Sequence, residues 1–249
     1  MNLKPGETLD DLVRNGMRVI QDRTGYRFSM DSVLLAHFAG VRREDEVLDL
    51  GCGCGVISFL LAGRQPCCRI TGVEIQPQLA DRARRGAELN GLANQIEIIN
   101  GDLRQAKVLL GGGRYSLMVA NPPFWRPGEG KPNPNQEKLM ARHEVNATLE
   151  DYVEAARSLL APRGRLAMIH RADRVLEIAS LCTGKNLNLR KLRFIHPYQD
   201  RDANLVLVEA ARGSKAGVKI LPPLVVYKSD GNYTEEILRI YSEDQAGAD

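Results

Sequence analysis

Val47-Leu48-Asp49-Leu50-Gly51-Cys52-Gly53-Cys54-Gly55 is the stretch on which the fold turns. Val47 to Leu50 reads as a short buried strand, and glycines at alternate positions then break it. From about Val56 to Ala62 the residues read as a helix. Strand, glycine loop and helix in that order open a parallel α/β unit. Downstream the pattern repeats. Arg69 to Glu74 is a second strand, and Pro77 falls where a first helical turn begins. That helix runs to the stop signal Asn90-Gly91. Ile96 to Ile99 is a third strand, running into Gly101-Asp102, and Tyr115 to Ala120 is a fourth. Leu149 to Leu160 reads as helix, Arg165 to Ile169 as a fifth strand and Ala172 to Leu181 as another helix. Leu192 to Ile195 and Leu205 to Ala210 suit an antiparallel hairpin, Gly213 to Val218 a flexible turn, and a short helix starts at Thr234. Upstream, Ser32 to Ala39 reads as a short helix opening at Asp31. The expectation is an α/β fold: a seven-stranded, mostly parallel sheet with helices on both faces.

Composition excludes several classes. The chain has 249 residues, 43% hydrophobic and 26% charged, which is ordinary for a soluble globular protein. No apolar run approaches the roughly 18 residues a membrane helix needs. The start, Met1-Asn2-Leu3-Lys4-Pro5-Gly6-Glu7, lacks the apolar core of a signal peptide, so a cytoplasmic location is expected. Five cysteines, with Cys67 and Cys68 adjacent and Cys52 and Cys54 inside the glycine loop, suit neither a disulfide framework nor a metal site. His37, His143, His170 and His196 are scattered, so no metal is expected. A net charge of +3 puts any nucleic-acid contact on local basic clusters. Candidates are Arg82, Arg84 and Arg85; Lys185, Arg190, Lys191 and Arg193; and Arg126, Lys131, Lys138 and Arg142. Trp125 to His143 is rich in Pro, Gly and Asn and reads as a long surface loop, a lid or binding segment. Trp125 itself suits a pocket wall or a loop anchor.

Gly51, Gly53 and Gly55 let a nucleotide-like ligand approach backbone and a helix N-terminus. A dinucleotide fingerprint requires a third glycine where Val56 stands, and the carboxylate of Asp49 would repel a pyrophosphate. That carboxylate suits a cationic amino-acid group instead. Glu74 closes the second strand, where it can accept hydrogen bonds from both ribose hydroxyls. Asp102, after the third strand, can accept from the exocyclic amine of an adenine. Each acid alone also suits a cap or a turn. Together they mark the carboxyl ends of successive strands, on one rim of the sheet.

Asn121-Pro122-Pro123-Phe124 follows the fourth strand directly. An amide, two rigid prolines and an aromatic ring can hold a planar amino-bearing group flat and present its nitrogen to an electrophile. The two motifs together point to methyl transfer from S-adenosylmethionine to a nitrogen.

By these residues the chain resembles the Rossmann-like class I S-adenosylmethionine-dependent methyltransferases. Its Asn-Pro-Pro-Phe resembles the motif of amino-group enzymes acting on adenine, guanine or glutamine nitrogen. Tyr26-Arg27-Phe28-Ser29-Met30-Asp31-Ser32-Val33-Leu34-Leu35-Ala36 and the tail Pro222-Pro223-Leu224-Val225-Val226-Tyr227 look like the bacterial tRNA1(Val) adenine-N6 methyltransferase family. The resemblance implies that Asp49, Gly51, Gly53 and Gly55 bind the methionine part of the cofactor, Glu74 its ribose and Asp102 its adenine. Arg27, Ser29 and Asp31 would lie over the cofactor or shape its pocket, and Asn121 would border it. Asn121, Pro122, Pro123 and Phe124 would form the amino-group site. Residues 1–43 would be an extension packing on the cofactor site, with the methyltransferase domain and its tail at 44–249. The implied partner is RNA, most specifically tRNA, with no membrane or metal, and the sequence leaves the oligomeric state open. The implied activity is N6-methylation of adenine in tRNA. Alternatives are a protein glutamine N5-methyltransferase, which usually carries a larger helical N-terminal domain, and an rRNA guanine-N2 methyltransferase. A cofactor-binding protein without turnover and an NAD-linked oxidoreductase are further readings. The intact Asn-Pro-Pro-Phe speaks against the first, and the missing glycine against the second.

Overall fold

The computed structural model describes residues 3–12, 16–25, 27–126, 129, 144 and 147–243. Among these, strands Glu46–Leu50 (β3), Arg69–Glu74 (β4), Ile96–Asn100 (β5), Tyr115–Ala120 (β6) and Leu160–Arg171 (β7) run parallel. Leu205–Arg212 (β9) is inserted antiparallel between β7 and Leu187–His196 (β8). The order of the long strands is β8-β9-β7-β6-β3-β4-β5. These are the expected seven. Two further strands of two residues each, Lys219–Ile220 (β10) and Leu224–Val225 (β11), pair with β8 and bring the sheet to nine. They cover an edge that would otherwise expose unpaired backbone. Pro222 and Pro223 lie between them, where missing N–H groups interrupt the ladder.

Helices cover both faces because side chains alternate along each strand. Val47, Leu117, Val119, Ala167 and Ile169 point to one core, with helices Met30–Phe38 (α1), Val56–Arg64 (α2) and Pro77–Leu89 (α3). Leu48, Leu50, Met118, Ala120, Leu166 and Met168 point to the other, with Ala106–Leu110 (α4), Leu149–Leu159 (α5) and Val175–Gly184 (α6). A capping box starts α5: Asp151 N–H donates to Thr148 Oγ1, and Thr148 N–H donates to the Asp151 carboxylate. The last helix, Glu235–Glu243 (α7), places Ile237 and Ile240 in the first core.

Sequence periodicity misses the N-terminal hairpin of Glu7–Asp11 (β1) and Arg18–Asp22 (β2). Both strands are short and β1 is acidic; Val19 of β2 packs into the first core, and charge on α3 adds ion pairs. Arg85 pairs with the buried Glu7, and Arg82 Nη2 lies 3.0 Å from Asp22 Oδ2. Lys4 Nζ reaches Asp81 at 2.7 Å. No helix among the described residues is long and apolar enough to cross a membrane.

Candidate active site

A cleft at the carboxyl ends of β3 to β6 gathers Gly51, Cys52, Gly53, Cys54, Glu74, Asp102, Asn121 and Pro123 in one wall. The glycine loop holds a tight shape, with Gly51, Gly53 and Gly55 all at positive φ. Gly51 and Cys52 both donate backbone N–H bonds to Val73 O, at 2.8 and 3.1 Å. Gly53 N–H donates to Glu74 Oε2 at 2.9 Å, so one acid ties the loop to the end of β4. Its other oxygen accepts from Gln76 N–H at 2.8 Å. Gly55 enters α2 and lies under the ring of Phe59, where an added methyl would come within 2.7 Å of ring carbon.

Asp49 sits buried beneath this loop. Ser58 Oγ–H donates to its Oδ2 at 2.7 Å, and Oδ1 has no partner among the described residues. Burial raises its pKa to about 7, against the lowering effect of Ser58, and the neighbouring Glu74 adds to the rise. Asp102 behaves oppositely. The Arg104 guanidinium holds its carboxyl below the ordinary carboxylate range, and Arg104 N–H donates to Oδ1 at 2.9 Å.

The remaining expected residues are distributed unevenly. Pro122 is buried, and Phe124 lies with its ring centroid 5.3 Å from that of His170. His170 Nδ1 accepts from Arg171 N–H at 2.8 Å, and burial lowers its pKa to about 4, so it is a neutral ring. Trp125 is capped by the Arg171 guanidinium, 4.1 Å from its centroid. Arg27 does not reach the cleft: it is exposed and pairs with Asp10 at 2.7 Å. Ser29 donates to Asp31 at 2.8 Å. Their neighbours Phe28 and Ser32 form the cleft wall. Arg27, Ser29 and Asp31 therefore fall outside the lining, because the segment from 27 to 32 turns Phe28 and Ser32 inward.

The expected basic clusters are largely neutralised. Arg82 and Arg85 pair with hairpin acids, and Arg84 Nε–H donates to Ile98 O at 3.0 Å. Lys185 pairs with Glu150 and Glu154, Lys191 with Glu209 and Arg193 with Glu236. Arg190 donates to Gly217 O, and Arg126 pairs with Glu177 at 2.7 Å. Lys131, Lys138 and Arg142, with most of the Trp125–His143 loop, lie outside the described residues, as does Tyr26. Sequence reasoning also passed over Gln21 from β2 and Tyr152 from α5, both in the cleft wall, and Ser58 beneath it. No local pattern marks them, since only tertiary structure brings them to the loop.

The sheet, with one reversed strand next to its edge, is that of the class I S-adenosylmethionine-dependent methyltransferases. The family model described as the methyltransferase small domain matches residues 29–181. The chain belongs to that family, and it is a methyltransferase. Among curated relatives, a Porphyromonas gingivalis protein named tRNA1(Val) (adenine(37)-N6)-methyltransferase is 31% identical over 230 residues, covering 88% of this chain and 89% of its own. An Aeromonas hydrophila protein of the same name is 28% identical, covering 90% and 92%. A solved structure from Agrobacterium tumefaciens, described as a predicted O-methyltransferase, has a TM-score of 0.68 at 24% identity. It covers 87% of this chain and 97% of its own, and shares the fold.

S-adenosylmethionine fits the residues present. The unpartnered Asp49 oxygen suits an α-ammonium, and Gly53, at positive φ with nothing within 4 Å of an added methyl, leaves the loop open where the ligand must come near. The folded pKa of Asp49 stands above the ordinary carboxylate value, so the empty native state binds that proton more tightly than the unfolded chain. Stability from this group is therefore full at low pH and declines as pH rises from about 4 to about 7. A bound ammonium favours the ionised acid. Affinity for S-adenosylhomocysteine should therefore be about tenfold weaker near pH 6 than near pH 8. Asp49→Asn should weaken binding at high pH and flatten the dependence; calorimetry at the two pH values checks both.

Proposed function

We propose that this chain transfers a methyl group from S-adenosylmethionine to the N6 amine of an adenine in tRNA, adenine 37 of tRNA1(Val), the nucleotide its relatives are named for. The observation that carries this reading is the position of Asn121 and Pro123 in the same cleft wall as the glycine loop, directly after β6. When bound, the cofactor supplies an electrophilic methyl on a sulfonium. The chain's own residues do the rest. Asp49 and the loop at Gly51, Gly53 and Gly55 hold the methionine end, Glu74 the ribose and Asp102 the adenine. The Asn121 side-chain oxygen and the Pro122 carbonyl accept hydrogen bonds from the target N6–H. That favours a more tetrahedral nitrogen, withdraws its poorly nucleophilic lone pair from conjugation with the ring and aims it. Pro123 fixes the turn. Phe124 stacks on the base once it has swung out of its loop, with the neutral His170 ring behind it. Residues 1–43 form an extension that closes one side of the cleft through Gln21, Phe28 and Ser32. The enzyme works in the cytoplasm, where the substrate tRNA is.

The test is transfer of labelled methyl from S-adenosylmethionine to unmodified tRNA, with the product nucleoside read by mass spectrometry. N6-methyladenosine that vanishes when adenine 37 is replaced by guanine is the expected result. Label on guanine N2 or on a protein glutamine would end the proposal. Since the described members of the three basic clusters are largely paired, we assign phosphate contact to the segment carrying Lys131, Lys138 and Arg142. Affinity for tRNA should drop steeply with added salt, and Lys131→Glu should weaken it without changing cofactor affinity. A filter-binding series at rising ionic strength decides this; a flat series would remove phosphate contact from the account.

A further inference from the structure

Tyr152 belongs to no motif, yet its phenol stands against the glycine loop. It projects from α5 and is 5% exposed. A methyl on Gly51 would stand 2.9 Å from its hydroxyl oxygen, and the ring lines the cleft. That oxygen has no hydrogen-bond partner among the described residues, although it is surrounded by acids. Burial first, and then Glu74 and Asp49, push its pKa far above the usual phenol range, so it stays a neutral O–H donor.

The methionine end of the cofactor carries an ammonium and a carboxylate. Asp49 answers the ammonium, but Asp49 and Glu74 both repel the carboxylate, which therefore needs donors. The loop has few left. The N–H groups of Gly51 and Cys52 are held by Val73 O, that of Gly53 by Glu74, and that of Gly55 by Cys52 O at 2.9 Å. Among the described side chains of the lining, the Tyr152 hydroxyl is the donor that stands directly against Gly51.

We infer that the Tyr152 hydroxyl donates a hydrogen bond to the α-carboxylate of S-adenosylmethionine and so positions the methionine end over Gly51. The inference rests on the reading that the glycine loop and Asp49 hold that end. Tyr152 is a positioning residue here; its bond sets where the sulfonium lies relative to Asn121.

Calorimetry with three ligands tests it: S-adenosylhomocysteine, its decarboxylated form, and methylthioadenosine. The wild-type enzyme should bind decarboxylated S-adenosylhomocysteine more weakly than the parent ligand. Tyr152→Phe keeps the ring and should lose about tenfold in affinity for S-adenosylhomocysteine. The same variant should bind the decarboxylated ligand as the wild type does, a pattern that loosened packing would not produce. Equal losses for both ligands, or none, overturn the inference. So does a wild-type enzyme that binds the first two ligands equally, a result that needs no variant to fold. If the wild type binds methylthioadenosine as tightly as S-adenosylhomocysteine, the reading of the loop itself fails, and the role of Tyr152 falls with it.

Discussion

Asn121→Ala is expected to lower the single-turnover methylation rate about a hundredfold or more, while the melting temperature and S-adenosylhomocysteine affinity stay near wild type. Asn121 follows β6 in the cleft wall and is only partly buried, so its removal opens little of the core. Its proposed bond to the target nitrogen strengthens as that nitrogen gains positive charge. An interaction realised in the transition state appears in the rate rather than in ground-state affinity. Asn121→Asp keeps an acceptor oxygen and removes the amide donor, so it should retain part of the activity. Rapid-quench measurements under single-turnover conditions decide the matter. An alanine variant that methylates at the wild-type rate would make the motif a turn and nothing more.

Phe59→Ala should cost about 3–5 kcal/mol of folding stability, read from a denaturant titration. The ring is fully buried between two glycines: a methyl on Gly55 would stand 2.7 Å from it, and one on Gly86 2.8 Å. Neither neighbour has a side chain to swing into the space, so the cavity would persist and the full cost would be felt. Because Gly55 ends the cofactor loop, S-adenosylhomocysteine affinity should fall as well. A stability change under about 1 kcal/mol would show that the loop collapses onto the vacated volume.

The parts of the fold legible in sequence were those whose stabilisation is local and apolar. β4 and β6 match their expected limits because Arg69–Glu74 and Tyr115–Ala120 are bounded by turn residues. The β8–β9 hairpin also follows from its two apolar runs, although both strands extend further than expected. The N-terminal hairpin was not legible. Glu7 and Asp22 look like solvated acids until Arg85 and Arg82 of α3 are brought beside them. The same blindness made those arginines look like an RNA surface. In the site, glycines, acids and the Asn-Pro-Pro-Phe turn announce themselves by spacing. Tyr152, Gln21 and Ser58 reach the cleft by tertiary packing alone, and Arg27 is drawn off by Asp10, a partner no local rule identifies.

The two sides of the cleft share one apolar core, but the hairpin side adds ion pairs to it. Gln21 hangs from a hairpin joined to α3 through buried or half-buried ion pairs, while the glycine loop rests on the packed ring of Phe59. Apolar packing weakens on cooling, whereas the desolvation penalty of ion pairs falls on warming. Chilling therefore loosens the floor under the methionine end first, and warming strengthens the hairpin clasp relative to it.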